Sequence, residues 1–354
     1  MFLSRVLVLP GLYDSHLHLH LSLYFSLYLL VFLPCYVVSV SSTMDVPISE
    51  INGLQYLYNH TNGSNWVFRP GPGGWDFSGS GFNAPDPCSD PVWQGISCNC
   101  SPDNMCNIKS IVLSGYHLVG KLPDTFHMLP ELETLELSNN EQLEGIIPSS
   151  LCSLESLADL VLSNNRLSGR FPVCLGTMGQ LQTLTLSENV LSGSIPDELC
   201  NLTKTLESII FPTNHITGSI PSCVGDLAEL LEWDSSLNFL SGSIPIEIGS
   251  LIKLVKFDTE YNTLPGVSGT IPSEVCDLSL LEWFDVSTNI ITGSIPTCIG
   301  RMVELTKFSV FINKMTGSIP TGVVQLTKMN SLFCNYNFFT GTIPGVGWAD
   351  ISSL

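Results

Sequence analysis

One phrase recurs through most of the chain and constrains its fold more than any other sequence feature. Three clear copies are LADLVLSNNRLSGRFP (157–172), LQTLTLSENVLSGSIP (181–196) and LTKFSVFINKMTGSIP (305–320). Its most regular position is an asparagine, at spacings of 25, 24, 25, 24, 24, 27, 24 and 24 residues: Asn140, Asn165, Asn189, Asn214, Asn238, Asn262, Asn289, Asn313 and Asn337. A tenth, degenerate copy comes first, with Tyr116 in the asparagine position. Self-similarity at this period predicts a solenoid, in which each coil buries its apolar face only against neighbouring coils.

The residue types within one copy fit this stacking. Leu181, Leu184 and Leu186 are predicted to point into the solenoid, and the residues between them to form a short strand. Stacked strands make a parallel sheet with rungs about 4.8 Å apart. Because asparagine has both donors and an acceptor, it can satisfy backbone groups where each coil turns inward. Gly193 permits the next bend, and Pro196 ends strand pairing where no N–H is needed.

The phrase LxxLxLSxNxLSGxIP resembles the plant-type extracellular leucine-rich repeat, found in receptor ectodomains and in polygalacturonase-inhibiting proteins. The resemblance implies an α/β solenoid, a right-handed superhelix of about ten 24-residue repeats with a parallel β-sheet on its concave face. Residues 43–106 resemble that family's disulfide-bonded N-terminal cap, with an amphipathic helix followed by Trp66, Trp75 and PCSDPVWQGISC (87–98). The expected organisation is an export segment (1–42), the cap (43–106), the repeats (107–344) and a short C-terminal tail (345–354).

The N-terminus predicts export. Residues 21–42 contain no charged side chain, Arg5 is the only basic residue before them, and acidic residues follow. This charge order places the N-terminus in the cytosol and the body of the protein outside. Small residues at 39–42 suit signal-peptide cleavage, and the stretch is also long enough to span a bilayer uncleaved. The predicted location is therefore secreted, or at the cell surface with an N-terminal anchor, and membrane contact is expected only through residues 21–42.

Charge and motifs exclude several function classes. With 13 Lys+Arg against 32 Asp+Glu, the net charge of −19 offers no electrostatic footprint for nucleic acid. The glycines are punctuation of the repeat, and no phosphate-cradling loop is present, so no cofactor is implied. Twelve cysteines favour an oxidising compartment.

Six of the cysteines in the repeats lie alternately four and two residues after a proline. Because neighbouring coils are close enough for disulfide geometry, the predicted pairs are Cys152–Cys174, Cys200–Cys223 and Cys276–Cys298. The family resemblance implies a cap bridge Cys88–Cys98, which leaves Cys100–Cys106 as the remaining pair. Cys334 takes an inward leucine position and is expected to be a buried free thiol. Zinc binding is disfavoured, since no four cysteines converge with metal-ligand spacing.

Three sequons agree with an extracellular location. Asn59, Asn62 and Asn201 each begin an Asn-x-Ser/Thr triplet and are candidates for N-glycosylation.

The sheet residues between inward leucines are predicted to face the concave surface. Its central exposed column carries an aspartate on three consecutive coils, and with neighbouring glutamates these form what we call the acidic patch: Glu232, Asp234, Asp258, Glu260, Glu282 and Asp285. Exposed aromatic residues are expected to border the patch: Tyr261, Trp283, Phe311, Phe333 and Tyr336. An alternative alignment of the LLEW segments at 230–233 and 280–283 would instead turn Trp283 inward.

Four interpretations of the acidic patch compete. It could recognise a protein, peptide or glycan, with aromatic contact area and carboxylates that select a basic or polyhydroxyl partner. Paired carboxylates could catalyse glycoside hydrolysis, and clustered carboxylates could hold Ca²⁺. The fourth interpretation is an ordinary solvated face of an acidic protein.

We interpret the chain as a non-catalytic extracellular recognition module. The family resemblance implies cell-surface recognition, peptide perception or inhibition of a wall-degrading enzyme. The main alternative is a structural, adhesion or matrix protein that uses the regular array itself. An ice-facing version of that alternative would need a flat column of threonines, which Thr183, Thr185 and Thr213 do not form.

Overall fold

The computed structural model describes residues 46–78 and 86–345. The predicted export segment (1–42) lies outside the described residues, as does the tail beyond residue 345. Among the described residues, no helix has the length and apolar character needed to cross a membrane.

The N-terminal cap is built on helix α1 (Ile48–His60). Leu54 and Leu57 of this helix are fully buried, and the carboxylate of Glu50, also buried, accepts a hydrogen bond from the Ile108 backbone N–H at 2.7 Å. The Trp66 and Trp75 rings pack edge to face with centroids 4.8 Å apart. The cap therefore covers the first coil with an apolar layer, while Glu50 pairs with a backbone N–H of that coil.

The strands follow the predicted repeat. Their bounds in chain order are β1 (Ile96–Cys100), β2 (Cys106–Val112), β3 (Val119–Lys121), β4 (Thr134–Glu136), β5 (Gln142–Ile146), β6 (Asp159–Val161), β7 (Arg166–Gly169), β8 (Thr183–Thr185), β9 (Val190–Ser194), β10 (Ser208–Ile210), β11 (His215–Gly218), β12 (Glu232–Asp234), β13 (Phe239–Leu240), β14 (Lys256–Asp258), β15 (Trp283–Asp285), β16 (Lys307–Ser309), β17 (Thr316–Gly317), β18 (Ser331–Phe333) and β19 (Phe338–Phe339).

Eleven strands form the main sheet, in the order β1-β2-β4-β6-β8-β10-β12-β14-β15-β16-β18. β1 pairs antiparallel with β2, and each later strand pairs parallel with the strand of the next coil. This arrangement confirms the predicted leucine-rich-repeat solenoid, in which one short strand per coil contributes one rung. We call the outward side of this sheet, which corresponds to the predicted concave surface, the concave face.

A second sheet was not predicted from the sequence. Its order is β13-β11-β9-β7-β5-β3, and β17 pairs separately with β19. It forms where the LSGxIP half of each phrase extends alongside the next coil. The sheet stops at β13 because the next coil carries three additional residues, and a turn at 263–266 leaves only isolated bridges there, such as Ser243 with Ser268.

Short 3-10 helices follow the prolines on the opposite side of the coils. Their bounds are Ser149–Ser153, Val173–Thr177, Asp197–Asn201, Ser222–Asp226, Ile246–Ser250, Ser273–Asp277, Thr297–Arg301 and Thr321–Gln325, with further 3-10 turns at Gly63–Asn65 and Phe126–Met128. Proline suits the position before each helix because its fixed φ is compatible with the turn and no N–H is required there.

The asparagine ladder has the predicted role. Asn189 Oδ1 accepts the Leu167 N–H at 2.9 Å, while its Nδ2 donates to the carbonyls of Leu162 and Leu186 at 2.9 and 3.1 Å. The side chain is buried, so these partners are protein groups of its own coil and of the preceding one. Equivalent bonds recur at Asn214 and Asn262. Each asparagine thus joins two coils through backbone groups that would otherwise be buried without partners.

All five predicted disulfides are present: Cys88–Cys98, Cys100–Cys106, Cys152–Cys174, Cys200–Cys223 and Cys276–Cys298. Cys334 is a buried free thiol, also as predicted. The three repeat disulfides join 3-10 helices of consecutive coils, so they clip the side opposite the main sheet.

Candidate functional site

The aspartates of the predicted column lie on adjacent strands in register. Asp234 of β12 pairs with Asp258 of β14, which pairs with Asp285 of β15, and the column continues through Ser309 to Phe333. This register leaves Phe284 inside and Trp283 on the concave face, which excludes the alternative alignment in which Trp283 turns inward.

The prediction that this column is exposed is wrong for all three aspartates. Their exposed fractions are 7% for Asp234, 6% for Asp258 and 1% for Asp285. The burial of these aspartates is associated with the turn that follows each strand. Asp234 Oδ1 accepts the backbone N–H of Ser236 at 3.1 Å, Asp258 Oδ1 that of Glu260 at 3.0 Å, and Asp285 Oδ1 that of Ser287 at 2.9 Å. One oxygen of each carboxylate therefore caps the turn that follows its own strand.

Two lysines that the sequence analysis did not single out neutralise the outer aspartates. Lys256 Nζ lies 2.8 Å from Asp234 Oδ2 and 2.8 Å from Glu232 Oε1. Lys307 Nζ lies 2.8 Å from Asp285 Oδ2. In each case the lysine begins the strand of the next coil, and its side chain reaches diagonally back across the rung. A lysine two residues before the column position of the next coil is the sequence signal that could have revealed these pairs.

Trp283 begins β15 and so takes, toward Asp258 of the middle rung, the position that Lys256 and Lys307 take toward Asp234 and Asp285. It is in register with Lys256 on one side and Lys307 on the other. Its indole Nε1 donates to Asp258 Oδ2 at 3.1 Å, while Lys307 Nζ lies 3.6 Å from the centroid of the indole ring. Among the described residues, no lysine or arginine forms an ion pair with Asp258. A neutral donor therefore stands where the flanking rungs have a cation.

The electrostatic environment of Asp258 follows from this substitution. Burial, reinforced by the negative charges of Asp234, Asp285 and Glu260, raises the pKa of Asp258 to about 7, and the hydrogen bond from the Glu260 N–H opposes the shift only in part. Burial and the nearby Asp285 also raise the pKa of Glu260, whereas Lys307 opposes that shift. The pKa of Lys256 is raised because its bonds to Asp234 and Glu232 outweigh its own burial.

The remaining residues of the predicted site lie around these three rungs with different exposures. Glu232, Glu260, Trp283, Phe311 and Phe333 are half-buried, while Glu282, Tyr261 and Tyr336 are exposed. The rings of Phe311 and Tyr336 meet edge to face with centroids 5.3 Å apart. Tyr261 and Tyr336 have positive φ values, +55° for both, because each precedes the ladder asparagine of its coil. The site is thus an open surface of partly neutralised carboxylates with an aromatic margin.

This arrangement bears on the catalytic and metal interpretations. Hydrolysis by two carboxylates needs an acid and a second, available carboxylate on the other side of the scissile bond. Here the two aspartates beside Asp258 are each bound to a lysine. Within residues 46–78 and 86–345, no three His, Cys, Asp or Glu side chains are grouped so that they could hold a metal ion.

Two leucine-rich-repeat family models match the chain, at residues 106–167 and 180–202. A probable leucine-rich repeat receptor-like serine/threonine-protein kinase of Arabidopsis thaliana is 31% identical over 125 residues, which are 34% of this chain and 12% of the relative. A second probable receptor-like protein kinase of that plant is 35% identical over 88 residues, 25% of this chain and 9% of the relative. The chain thus matches only about a tenth of the length of these curated relatives.

Solved structures with the same architecture include plant receptor chains. A TDR receptor structure has a TM-score of 0.61 and 31% identity, covering 66% of this chain and 44% of that one. The Arabidopsis receptor kinase HAESA, in complex with the peptide hormone IDA and a co-receptor, has a TM-score of 0.60 and 30% identity, covering 71% and 49%. A plant ice-binding protein, 22% identical with a TM-score of 0.58 over 86% and 99% of the two chains, shares the fold. The described part of the chain therefore has the leucine-rich-repeat fold, and its solenoid is similar to those of plant receptor structures.

Proposed function

We propose that this protein is an extracellular or cell-surface recognition module that binds a protein or peptide ligand on its concave face. The observation that carries the proposal is the middle rung of the acidic patch, where Asp258 is bound by an indole rather than by a lysine. The similar HAESA ectodomain structures hold a peptide hormone ligand, which supports a peptide as the first ligand class to test.

The chemistry of the patch favours a ligand with a basic group next to an apolar one. An ammonium or guanidinium is the group that would compensate the buried charge of Asp258, because it carries a positive charge, whereas the indole of Trp283 donates a hydrogen bond but is uncharged. Tyr261 and Tyr336, with 53% and 72% of their surface exposed, offer aromatic contact area beside it. A glycan is the alternative ligand, since aromatic faces and carboxylates also bind polyhydroxyl groups.

The extracellular location is supported by the five disulfides, which persist in oxidising compartments. The three sequon asparagines, Asn59, Asn62 and Asn201, are exposed and thus sterically open to a glycan. Residues 21–42 would supply either a cleaved signal or an N-terminal anchor.

The test is to probe peptide and glycan arrays with the secreted protein. We expect specific binding to Lys- or Arg-containing peptides that Asp258→Lys abolishes, because the substitution replaces the carboxylate with a positive charge that repels the basic group of the peptide. Glu247→Lys is the matched control: it makes the same charge change at an exposed position of a 3-10 helix on the opposite side. Equal loss in both variants, or binding that survives Asp258→Lys, would contradict the proposed site.

A second candidate function is a structural or adhesion protein, which one other observation favours. Seven consecutive coils place an exposed hydroxyl residue after the glycine of the LSGxIP segment: Ser194, Ser219, Ser243, Thr270, Ser294, Ser318 and Thr342. This uncharged column lies beside the second sheet and not on the concave face. This function would be favoured if the protein co-sediments with insoluble cell-wall polysaccharide, if Ser243→Lys abolishes the co-sedimentation, and if no peptide on the arrays is bound.

A further inference from the structure

The three aspartate rungs of the acidic patch differ in one respect. Asp234 and Asp285 each have a lysine partner, at 2.8 Å in both cases. Asp258, between them, receives two neutral donors, the Glu260 N–H at 3.0 Å and the Trp283 indole N–H at 3.1 Å. A proton is therefore the cation most readily added to the middle rung, because two buried neighbours repel an ionised Asp258 and no side-chain cation compensates it.

The charged groups that act on Asp258 come from the strands packed around it. β12 contributes Asp234 and Glu232, both bound to Lys256 of β14. The segment after β14 contributes Glu260, whose carboxylate lies 3.5 Å from Ser287 Oγ, while that hydroxyl donates to Asp285 Oδ1. β15 contributes Asp285, which holds Lys307 of β16. Both lysines form ion pairs with other carboxylates. Burial and the negative charges of the neighbouring carboxylates therefore dominate the pKa of Asp258.

We propose that Asp258 is a proton-operated switch that sets the affinity of the acidic patch for a basic ligand. The proposal deepens the proposed function and rests on it, because it assigns regulation to the same surface. Deprotonated Asp258 accepts the Trp283 N–H and presents a negative charge to the ligand. Protonated Asp258 presents none, so the ligand's cation loses its partner on the middle rung. A basic ligand should therefore bind tightly at mildly alkaline pH and weakly at mildly acidic pH.

Linkage makes the switch reciprocal. If protonation of Asp258 lowers the affinity for the basic ligand, the bound ligand must lower the proton affinity of Asp258 by the same factor. With a pKa of about 7 in the free protein, the proton is exchanged across the neutral range, and the bound state should titrate at lower pH than the free state.

The first experiment needs no ligand, so it separates this proposal from the proposed function. The fluorescence of Trp283, obtained as the difference between the wild-type protein and Trp283→Phe, is followed from pH 4.5 to pH 9. We expect a transition near pH 7, because ionisation of a carboxylate in direct contact changes indole emission. The transition should be absent in Asp258→Asn and retained in Glu282→Gln, which removes an exposed carboxylate of the same patch. No transition between pH 5.5 and 8.5, or an unchanged one in Asp258→Asn, would overturn the switch.

The second experiment probes the same peptide array at pH 8.0 and pH 5.5. We expect Lys- and Arg-containing peptides to bind at least about fivefold more weakly at pH 5.5, the loss of roughly one charge-assisted contact. Asp258→Asn should bind weakly at both values. Peptide binding that does not change with pH in the wild-type protein would overturn the regulatory role and leave the proposed function intact. A titrating Trp283 with no bound peptide at either pH would overturn the proposed function, and with it the regulatory role.

Discussion

Trp283 donates its indole N–H to Asp258, with 3.1 Å between Nε1 and Oδ2. Trp283 begins β15, whereas a lysine begins each of the two adjacent strands, Lys256 in β14 and Lys307 in β16. This single exchange of a cation for a neutral donor makes the middle rung different from its neighbours. It leaves Asp258 buried, surrounded by carboxylates and without an ion pair among the described residues.

Asp258→Asn should stabilise the protein at alkaline pH. The pKa of Asp258 is raised to about 7 from an ordinary value of 3.8, so between these values the folded protein binds a proton that the unfolded chain has lost. Stability contributed by this group therefore falls as pH rises through that range. We expect the variant to gain about 1–3 kcal/mol at pH 8 and little at pH 4. Denaturant unfolding at both pH values measures the difference. An equal gain at pH 4 would contradict the assignment.

Lys256→Met should destabilise the protein by about 2–4 kcal/mol, because it leaves the buried carboxylate of Asp234 without its cation. Lys253→Met is a close control: Lys253 pairs with Glu229 at the surface, with side-chain exposures of 47% and 38%. Its loss should cost less than about 1 kcal/mol. Thermal unfolding of both variants at pH 7 tests the contrast, and equal destabilisation would show that the concave pair is no stronger than a surface pair.

Asn189→Ala should cost about 2–4 kcal/mol. The alanine would leave the Leu167 N–H and the Leu162 and Leu186 carbonyls without this partner inside the solenoid. Asn330→Ala, at an exposed asparagine before β18, should change stability by less than about 0.5 kcal/mol. The measurement is the unfolding free energy in denaturant. A neutral Asn189→Ala would indicate that water replaces the ladder bonds.

Ile312→Asn should stabilise the protein by about 1 kcal/mol. Ile312 has a φ of +48°, a left-handed conformation that is costly for a β-branched residue. Asn139 and Asn164 occupy the equivalent position in earlier coils with φ values of +58° and +56°, and asparagine tolerates this region. Ile246→Asn is the control, since Ile246 is also exposed but begins a 3-10 helix. An increase in melting temperature confined to Ile312→Asn would confirm the prediction, and no increase would contradict it.

The regular parts of the fold were predictable because each coil repeats the same local problem. The leucine positions, the ladder asparagine and the alternating cysteine offsets all recur at one period, so one coil predicts the next. That is why the rung register of Asp234, Asp258 and Asp285 and the three disulfides between coils were correctly predicted. The second sheet was missed because most of its strands have only one buried apolar residue, such as Leu191 in β9 and Ile216 in β11, and therefore show no apolar alternation.

The candidate site was predicted only in part, for a physical reason. The inward leucines fix the phase of each strand, so the residues that share a rung could be predicted from the sequence. The hydrogen-bond and ion-pair partners of those residues depend on contacts that form in the folded protein. The burial of Asp258 depends on the turn after its own strand. The absence of a lysine partner depends on which side chain begins the strand of the next coil, and at that position the chain has Trp283. The first contact lies within one coil, two residues from Asp258, whereas the second joins residues 25 positions apart on neighbouring coils. The charge of the site therefore depends on the stacking of coils as well as on the turn of each coil.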